Sequence, residues 1–277
     1  MKDTQISRVI RTILLTILAL VFIAPIIIIL FNAFKGKLYI SNELFSLPTK
    51  DTFVGIENFI RGIDTVNFWS AFGYSLFISV CSVAVIVIFT AMTAWYIVRV
   101  KSKWTSLLYY LFIFSMIVPF QMVMFTTTWT ANQLSLDNPV GIILIYLGFG
   151  AGLSIFIYTG FIKAIPKEVE EAAIIDGCGP IRTFFLIVFP ILRPTAITVA
   201  ILNAMWIWND YLLPYLLLGT EYKTIPIAIQ YLQGSYGNTD MGALMALLVL
   251  SIIPVIVFYL VLQKYIIRSV AAGSVKG

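Results

Sequence analysis

The chain has 277 residues, of which 60% are hydrophobic and 11% are charged, and its mean hydropathy is +0.98. Soluble domains carry roughly 25% charged residues, so this composition excludes a water-soluble globular protein and predicts an all-α integral membrane protein. The net charge of +5 reflects the distribution of basic loops around the spans, and we do not take it as a sign of nucleic-acid binding.

Six charge-poor windows are long enough to cross a bilayer, since a helix needs about 20 apolar residues to do so. They predict spans at residues 12–34, 70–98, 104–130, 140–162, 189–217 and 241–263 of a single membrane domain, residues 1–277. If the N-terminus is cytoplasmic, 13 of the 18 Lys and Arg residues fall on the cytoplasmic side. The positive-inside bias therefore predicts a multi-pass protein with both termini in the cytoplasm.

A polar segment, residues 35–69, follows the first predicted span on the external side. Pro48, Asp51 and Gly55 predict turns within this segment. It is too short to form a substantial independent domain. We therefore expect it to cap the external mouth of the helix bundle or to touch a partner.

The cytoplasmic segment between the fourth and fifth predicted spans, residues 165–190, reads IPKEVEEAAIIDGCGPIRTFFLIVFP. Pro166 suits the first turn of a helix, and the helix dipole favours the glutamates that follow it. Gly177 stands where a helix-ending glycine belongs, and residues 181–189 predict a second short helix. The sequence thus predicts a helix, a sharp turn and a second helix, which we call the elbow.

Two interpretations of the elbow are open. It could lie idle on the lipid headgroups, or it could dock a partner protein. Interfacial helices usually carry a basic polar face, whereas this helix has three glutamates in the four residues 168–171. The acidic face favours docking, and the small side chains of Ala172 and Ala173 permit a partner to approach closely.

Polar residues in the predicted spans are candidates for a solute pathway. Asn203, Trp206 and Asp210 follow three- and four-residue spacing, so they share one helix face, and Asn209 lies beside it. An aromatic ring next to amide and carboxylate groups suits a neutral sugar. Gln121 in the third predicted span is a further candidate. The alternative is that Asp210 lies in water at the outer interface and that the tryptophans belong to an interfacial belt.

The sequence carries no recognisable catalytic chemistry. It has no histidine, no phosphate-binding loop of the G-x-x-x-x-G-K-[ST] type, and no visible metal-ligand cluster or nucleophile–base pair. We therefore expect no catalytic residue, no metal and no cofactor in this chain, which disfavours a membrane enzyme. An ion-coupled secondary transporter of a small polar solute remains an alternative, although it needs intramembrane carboxylates and only Asp210 qualifies.

The elbow resembles the cytoplasmic signature of the integral-membrane permeases of bacterial ABC importers. That signature reads E-A-A, three residues, G, nine residues, then I-x-L-P. The residues of this chain that match it at the same spacing are Glu171, Ala172, Ala173, Gly177, Ile187 and Pro190. Phe189 departs from the pattern because it replaces the leucine, but it keeps an apolar side chain there.

Two further segments narrow the resemblance to carbohydrate-uptake permeases. Residues 208–214, WNDYLLP, look like the W-N-D-F-L-x-P segment of that group. Residues 271–277, AAGSVKG, are similar to the G-G-x-V-K-G ending of the maltose-type second permease. The likeness, greatest to multiple-sugar and raffinose-type permeases, covers nearly the whole chain except the external segment.

The resemblance implies a function as one permease subunit of an importer for sugars or oligosaccharides in a bacterial cell membrane. Such a subunit forms half of the translocation pathway together with a second, homologous permease. It implies two separate ATP-binding subunits, which hold ATP and Mg²⁺ and grip each permease through the elbow helix, here called the coupling helix. It also implies an extracytoplasmic binding protein that delivers the sugar.

Overall fold

A computed structural model describes residues 5–232 and 239–274 of the chain, which excludes the last three residues of the predicted carbohydrate-type ending. In chain order its helices are α1 (Gln5–Asn32), α2 (Lys37–Asn42), α3 (Glu57–Val66), α4 (Phe68–Arg99), α5 (Lys103–Ile117), α6 (Phe120–Gln133), α7 (Gly141–Ile162), α8 (Lys167–Ile175), α9 (Pro180–Thr183), α10 (Phe189–Ile191), α11 (Arg193–Asn209), α12 (Leu212–Leu218), α13 (Ile225–Tyr231) and α14 (Met241–Ser274). A π-helical turn, Phe184–Val188, connects α9 to α10. The prediction of an all-α membrane fold is confirmed.

Among the described residues, four helices are long and apolar enough to cross a membrane: Ser7–Asn32, Phe68–Arg99, Gly141–Ile162 and Met241–Tyr265. The third predicted span, 104–130, coincides closely with one bent helix pair, and the fifth, 189–217, overlaps a second pair that begins within the elbow. Lys103–Ile117 and Phe120–Gln133 meet at 109°, and Pro180–Ile191 and Arg193–Asn209 meet at 79°. The total is six if each pair counts as one span, so the number six stays a prediction.

Prolines lie at both bends. Pro119 precedes α6, and Val118 before it is extended, with φ −76° and ψ 113°, as the residue before a proline prefers to be. Pro194 lies in the first turn of α11, where a missing N–H is tolerated. The fifth predicted span, 189–217, has a second interruption at Asp210, which is extended and ends α11 two residues before α12 begins.

The chain divides into two compact units, and the first comprises the described residues of Met1–Trp69 and Ala228–Ile256. Lys35 is fully buried in this unit. Its Nζ donates to the Glu43 carbonyl at 2.7 Å and to Ser46 Oγ at 3.2 Å, and Asn58 Nδ2 donates to the carbonyls of Ala33 and Lys35. Burial lowers the pKa of the Lys35 ammonium, and the Glu43 carboxylate offsets part of that effect. The external segment is therefore packed around buried polar groups; its proposed contact with a partner stays a prediction.

The second unit comprises the described residues of Ser70–Ile227 and Val257–Gly277. Helix α7 packs against α5 and α11, and small residues on α7 permit the close approach. A Cβ added to Gly150 would lie 2.7 Å from Asn203 Oδ1 on α11, and one added to Gly152 would lie 2.7 Å from the Phe112 carbonyl oxygen on α5. Small residues at crossings are typical of membrane helices. All the predicted site residues lie in this unit.

Candidate functional site

The elbow folds as a helix that ends in a glycine turn. Helix α8 begins at Lys167, directly after Pro166. Gly177 has φ +82°, a backbone conformation that residues other than glycine rarely adopt. The Gly177 amide donates to the Ile174 carbonyl and the Cys178 amide donates to the Ala173 carbonyl, at 3.0 and 2.9 Å. This pair of bonds is the Schellman arrangement that satisfies the last carbonyls of a helix.

Helix α8 has two faces of different character. Glu170 and Ala173 are buried inside the unit. The opposite face is exposed and follows helical spacing of three and four residues; we call it the outer face of α8, and it comprises Glu168, Glu171, Ala172 and Ile175. Of the two alanines in the predicted coupling set, Ala172 is thus exposed, whereas Ala173 packs within the chain.

Glu170 anchors α8 to the end of α4. Its carboxylate accepts hydrogen bonds from Arg99 Nη2 at 2.6 Å, from Arg99 Nε at 2.9 Å and from Trp95 Nε1 at 3.0 Å. Arg99 Nη2 also donates to the Ile165 carbonyl at 3.0 Å. The side chains of Arg99 and Glu170 are 15% and 9% exposed, so water screens this ion pair little. We call Trp95, Arg99 and Glu170 the elbow anchor.

The sequence alone does not indicate the elbow anchor. In the sequence Glu170 is one of three glutamates in the first turn of a predicted helix, and Arg99 is one of the basic residues at the predicted cytoplasmic ends of spans. The two residues are 71 positions apart, and no local pattern connects them. The available signal was indirect: among the glutamates of α8, Glu170 lies three positions before Ala173, on the same helix face.

The second limb of the elbow, which runs from α9 through the π-helical turn to α10, is helical but irregular. The Phe189 amide donates to the Phe184 carbonyl, five residues back, which is the π-helical spacing. Pro190 follows immediately and lacks an N–H. Phe184 is fully buried and its ring lies 5.7 Å from that of Trp95. The anchor at the end of α4 therefore contacts both limbs of the elbow, while Ile187 lies within the π-helical turn and Pro190 is exposed on α10.

A polar cluster connects α7 to the end of α11, and we call it the Tyr146 cluster. Tyr146 is fully buried, and its hydroxyl donates to Asp210 Oδ2 at 3.0 Å. The Trp206 ring meets the Tyr146 ring edge-on at 5.4 Å and 90°. Asp210 Oδ1 also accepts from the Leu212 amide at 3.1 Å, which stabilises the break between α11 and α12. The structure thus gives Asp210 specific partners, and Tyr146, which sequence reasoning passed over as an apolar-span residue, holds the cluster together.

The remaining predicted pathway residues are placed separately. Asn203 is buried, and its Nδ2 donates to Ser154 Oγ at 3.1 Å and to the Val199 carbonyl at 2.9 Å, so it holds α11 against α7. Asn209 is exposed and donates to the Met205 carbonyl of its own helix. Gln121 is exposed on α6. Asn203 and Trp206 thus lie on the face of α11 that contacts α7, whereas Asp210 follows the end of that helix and contacts α7 through Tyr146.

Within the described residues, no group of three or more His, Cys, Asp or Glu side chains could hold a metal ion. The elbow presents a surface and a rigid attachment to α4, whereas the Tyr146 cluster presents an aromatic ring and a carboxylate. An exposed helix face of this kind suits contact with a partner protein, and a ring beside a carboxylate suits contact with a polar solute.

Helices long and apolar enough to cross a membrane, joined by an ordered polar elbow, are the architecture of an integral membrane protein. Residues 86–272 match the family described as "Binding-protein-dependent transport system inner membrane component". The chain belongs to this family, which confirms the resemblance seen in the sequence. It is accordingly a multi-pass inner-membrane component of an ABC transport system rather than an enzyme.

Relatives align with the chain along its full length. It is 37% identical over 278 residues to the probable starch degradation products transport system permease protein of Thermoanaerobacterium thermosulfurigenes, with 100% of both chains covered. It is 34% identical to the multiple sugar-binding transport system permease protein of Streptococcus mutans, with 99% of both chains covered. It is 31% identical to the melibiose/raffinose/stachyose import permease protein of Bacillus subtilis, with 99% of this chain and 98% of that protein covered.

The fold also matches a solved structure. A chain in the crystal structure of a bacterial ABC transporter involved in the import of the acidic polysaccharide alginate superposes with a TM-score of 0.81. The two chains are 23% identical, and the match covers 96% of this chain and 98% of the other. This likeness supports the fold assignment independently of the sequence matches.

Proposed function

We propose that this chain is a permease subunit of a sugar or oligosaccharide importer and that it forms half of the translocation pathway. Its partners are a second, homologous permease, two ATP-binding subunits and an extracytoplasmic sugar-binding protein. Both chain termini lie in the cytoplasm. The observation that carries the proposal is full-length similarity to three permeases whose names specify starch products, multiple sugars and raffinose-type sugars.

The outer face of α8 supports docking of an ATP-binding subunit. Glu171 and Ala172 are exposed on it, and Ile175 is 85% exposed at its end. Ile181, on the second limb, is 69% exposed. Exposed apolar side chains beside an acidic surface are typical of a protein contact. In this proposal Glu171, Ala172 and Ile175 contact the ATP-binding subunit. Gly177, Ile187 and Pro190 determine the shape of the elbow, and Ala173 packs it against the rest of the chain.

The elbow anchor supports transmission from that contact to a span. A partner shifts a conformational equilibrium only through its different affinity for the two states. The movement of a docked helix must therefore reach the membrane through stiff contacts. Arg99 and Trp95 lie at the end of α4, which is 32 residues long, so a displacement of α8 acts directly on one end of a spanning helix.

The Tyr146 cluster supports contact with a neutral sugar. Trp206 is 40% exposed, and both Trp206 and the half-buried Asp210 contact Tyr146. A partly exposed aromatic ring and a carboxylate therefore lie near each other. The ring suits the C–H face of a sugar, and the carboxylate accepts hydroxyl hydrogens. In this proposal Asn209 and Gln121 contribute exposed amides to the same pathway, and Asn203 holds the wall formed by α7 and α11.

Uptake in reconstituted vesicles tests the proposed function. The chain is assembled with its partner permease, ATP-binding subunits and binding protein, and radiolabelled oligosaccharide is supplied outside. We expect accumulation that requires ATP on the side of the ATP-binding subunits and continues when ion gradients are collapsed. Accumulation that follows a proton or sodium gradient without ATP would overturn the proposal in favour of a secondary transporter.

Replacing Asp210 with Ala is expected to raise the KM for uptake about tenfold or more, because a hydrogen bond to a charged group contributes roughly 1.5–3 kcal/mol. Tyr146→Phe keeps the ring against Trp206 and removes the hydroxyl that orients Asp210, so a smaller increase is expected. Asp64→Asn, which removes an exposed acid on α3, should leave the KM unchanged. An Asp210→Ala transporter with normal assembly and an unchanged KM would place Asp210 outside the pathway.

A further inference from the structure

A basic cavity lies beside the elbow, at the ends of α4, α5 and α7. Its volume is about 490 Å³, and four cationic side chains line it: Arg99, Lys101, Lys163 and Lys167. Among the described residues that line this cavity, none is acidic. Arg99 is engaged by Glu170 at 2.6 Å, so the three lysines give the cavity its excess positive charge.

Two tyrosines, Tyr109 and Tyr110, also line the cavity. Ser106 and Thr159 line it as well, but their hydroxyls donate to the carbonyls of Ser102 and Phe156, at 3.1 and 2.9 Å. The Lys163 ammonium lies over the Tyr109 ring, 5.9 Å from the centroid, which places this cation at the wall of the cavity. Ammonium groups around a concave space match the oxygen acceptors of a phosphate group.

The surroundings of the cavity favour a lipid over a soluble anion. Along α5, Leu107, Leu108 and Leu111 are exposed, and Tyr110 is exposed while it also lines the cavity. These residues belong to a predicted span, which places their exposed side chains at the depth of the lipid hydrocarbon. A ligand whose phosphate enters the cavity can therefore lay acyl chains along α5, which a free phosphate ion cannot do.

We propose that this cavity binds the phosphate-bearing headgroup of an anionic glycerophospholipid from the leaflet on the elbow side. Basic pockets between transmembrane helices on that side suit such headgroups. Lys167 is the first residue of α8, Lys163 follows α7 and Lys101 lies between α4 and α5. The bound headgroup thus contacts three elements at once and holds the start of α8 beside α4. This lipid site does not depend on the identity of the transported solute.

Native mass spectrometry of the full-length chain, purified in a neutral detergent, tests the proposal with phosphatidylglycerol as the probe. We expect phosphatidylglycerol to bind at least tenfold more tightly than phosphatidylcholine. The combined substitutions Lys101→Gln, Lys163→Gln and Lys167→Gln should abolish that preference. The matched control, Lys50→Gln with Lys103→Gln and Lys264→Gln, also removes three exposed lysines, none of which lines this cavity, and should retain the preference.

A second variant keeps the charges and blocks the space: Ser106→Trp fills the cavity from α5 and should also weaken phosphatidylglycerol binding at least tenfold. Thermal unfolding of each variant shows whether the fold is intact. The proposal fails if both cavity variants bind phosphatidylglycerol like the wild type. It also fails if inorganic phosphate at millimolar concentration displaces the lipid completely, because the site would then belong to a soluble anion.

Discussion

Replacing Glu170 with Gln is expected to reduce sugar uptake by the assembled transporter at least tenfold while the ATP-binding subunits continue to hydrolyse ATP. The substitution keeps the size of the side chain but removes the charge that pairs with Arg99. Breaking a buried ion pair on one side costs about 3 kcal/mol or more, because the remaining charge is left uncompensated. This free-energy cost weakens the contact between α8 and α4. A docked ATP-binding subunit would then move the elbow without moving α4 to the same extent.

The solvent accessibility of Cys178 distinguishes a weakened contact between α8 and α4 from a loss of binding to the ATP-binding subunit. Cys178 is partly exposed just beyond α8, and its amide is bonded to the Ala173 carbonyl. In a Cys81→Ser background, Glu170→Gln should raise the maleimide labelling rate of Cys178 severalfold. The matched control is Glu171→Gln, which removes the neighbouring charge from the exposed face. It should leave labelling of the isolated chain unchanged even if it weakens ATPase binding.

Charge exchange provides the rescue test. The single variants Arg99→Glu and Glu170→Arg each place two like charges together at the elbow, and both should lose uptake. The double variant restores an opposite pair and should recover a measurable part of uptake and the slow labelling of Cys178. Equal loss in the single and double variants, or normal uptake in Glu170→Gln, would show that the ion pair does not transmit movement.

Composition and local signals were sufficient for much of the fold. Long apolar windows predict spanning helices without reference to tertiary contacts, because the bilayer imposes the minimum length. Gly177 could be placed at the end of α8 from the sequence as well, since a left-handed residue after a short helix is a local requirement. The carboxyl-terminal motif residues 275–277 lie outside the described part of the chain, so the structure adds nothing to that part of the resemblance.

The bends between α5 and α6 and between α10 and α11 cannot be recognised from hydropathy, because the residues on both sides of each bend are apolar. Windows 104–130 and 189–217 contain prolines, yet membrane helices often accommodate proline without breaking. Hydropathy therefore could not distinguish a continuous span from the bent pairs at Pro119 and near Pro194. Asp210 could be recognised as unusual, but its effect as a helix end depends on the hydrogen bond from the Leu212 amide.

Contacts between distant segments were beyond local reasoning. The spacing of Asn203, Trp206 and Asp210 placed them on one face, but it could not say what that face meets. The structure supplies α7 as the neighbour, with Tyr146 between Trp206 and Asp210 and with Gly150 beside Asn203. The same limit applies to Glu170, which only its distant partner Arg99 distinguishes from the exposed glutamates of α8.

Replacing Gly177 with Val is expected to lower coupled uptake about tenfold. Gly177 has φ +82°, and a Cβ at this position would meet nothing within 4 Å. The penalty therefore comes from the backbone, where the left-handed conformation costs roughly 1–2 kcal/mol for an L-residue and more for a β-branched one. A shift of that size changes the population of the correctly turned elbow by a factor of roughly 5–30. ATP hydrolysis should persist, because the substitution does not touch the ATP-binding subunits.

Gly179 supplies the matched control for this prediction. A Cβ at Gly179 would also lie in open space, but the φ of this residue is −72° and its ψ is 167°, an extended conformation that valine favours. Gly179→Val should thus transport like the wild type, while Gly177→Asn should fall between the two because asparagine tolerates the left-handed region. The ratio of sugar transported to ATP hydrolysed is the quantity to compare. If Gly177→Val and Gly179→Val share the wild-type ratio, the left-handed turn is not required for coupling, and the elbow must transmit movement through its anchor on α4 alone.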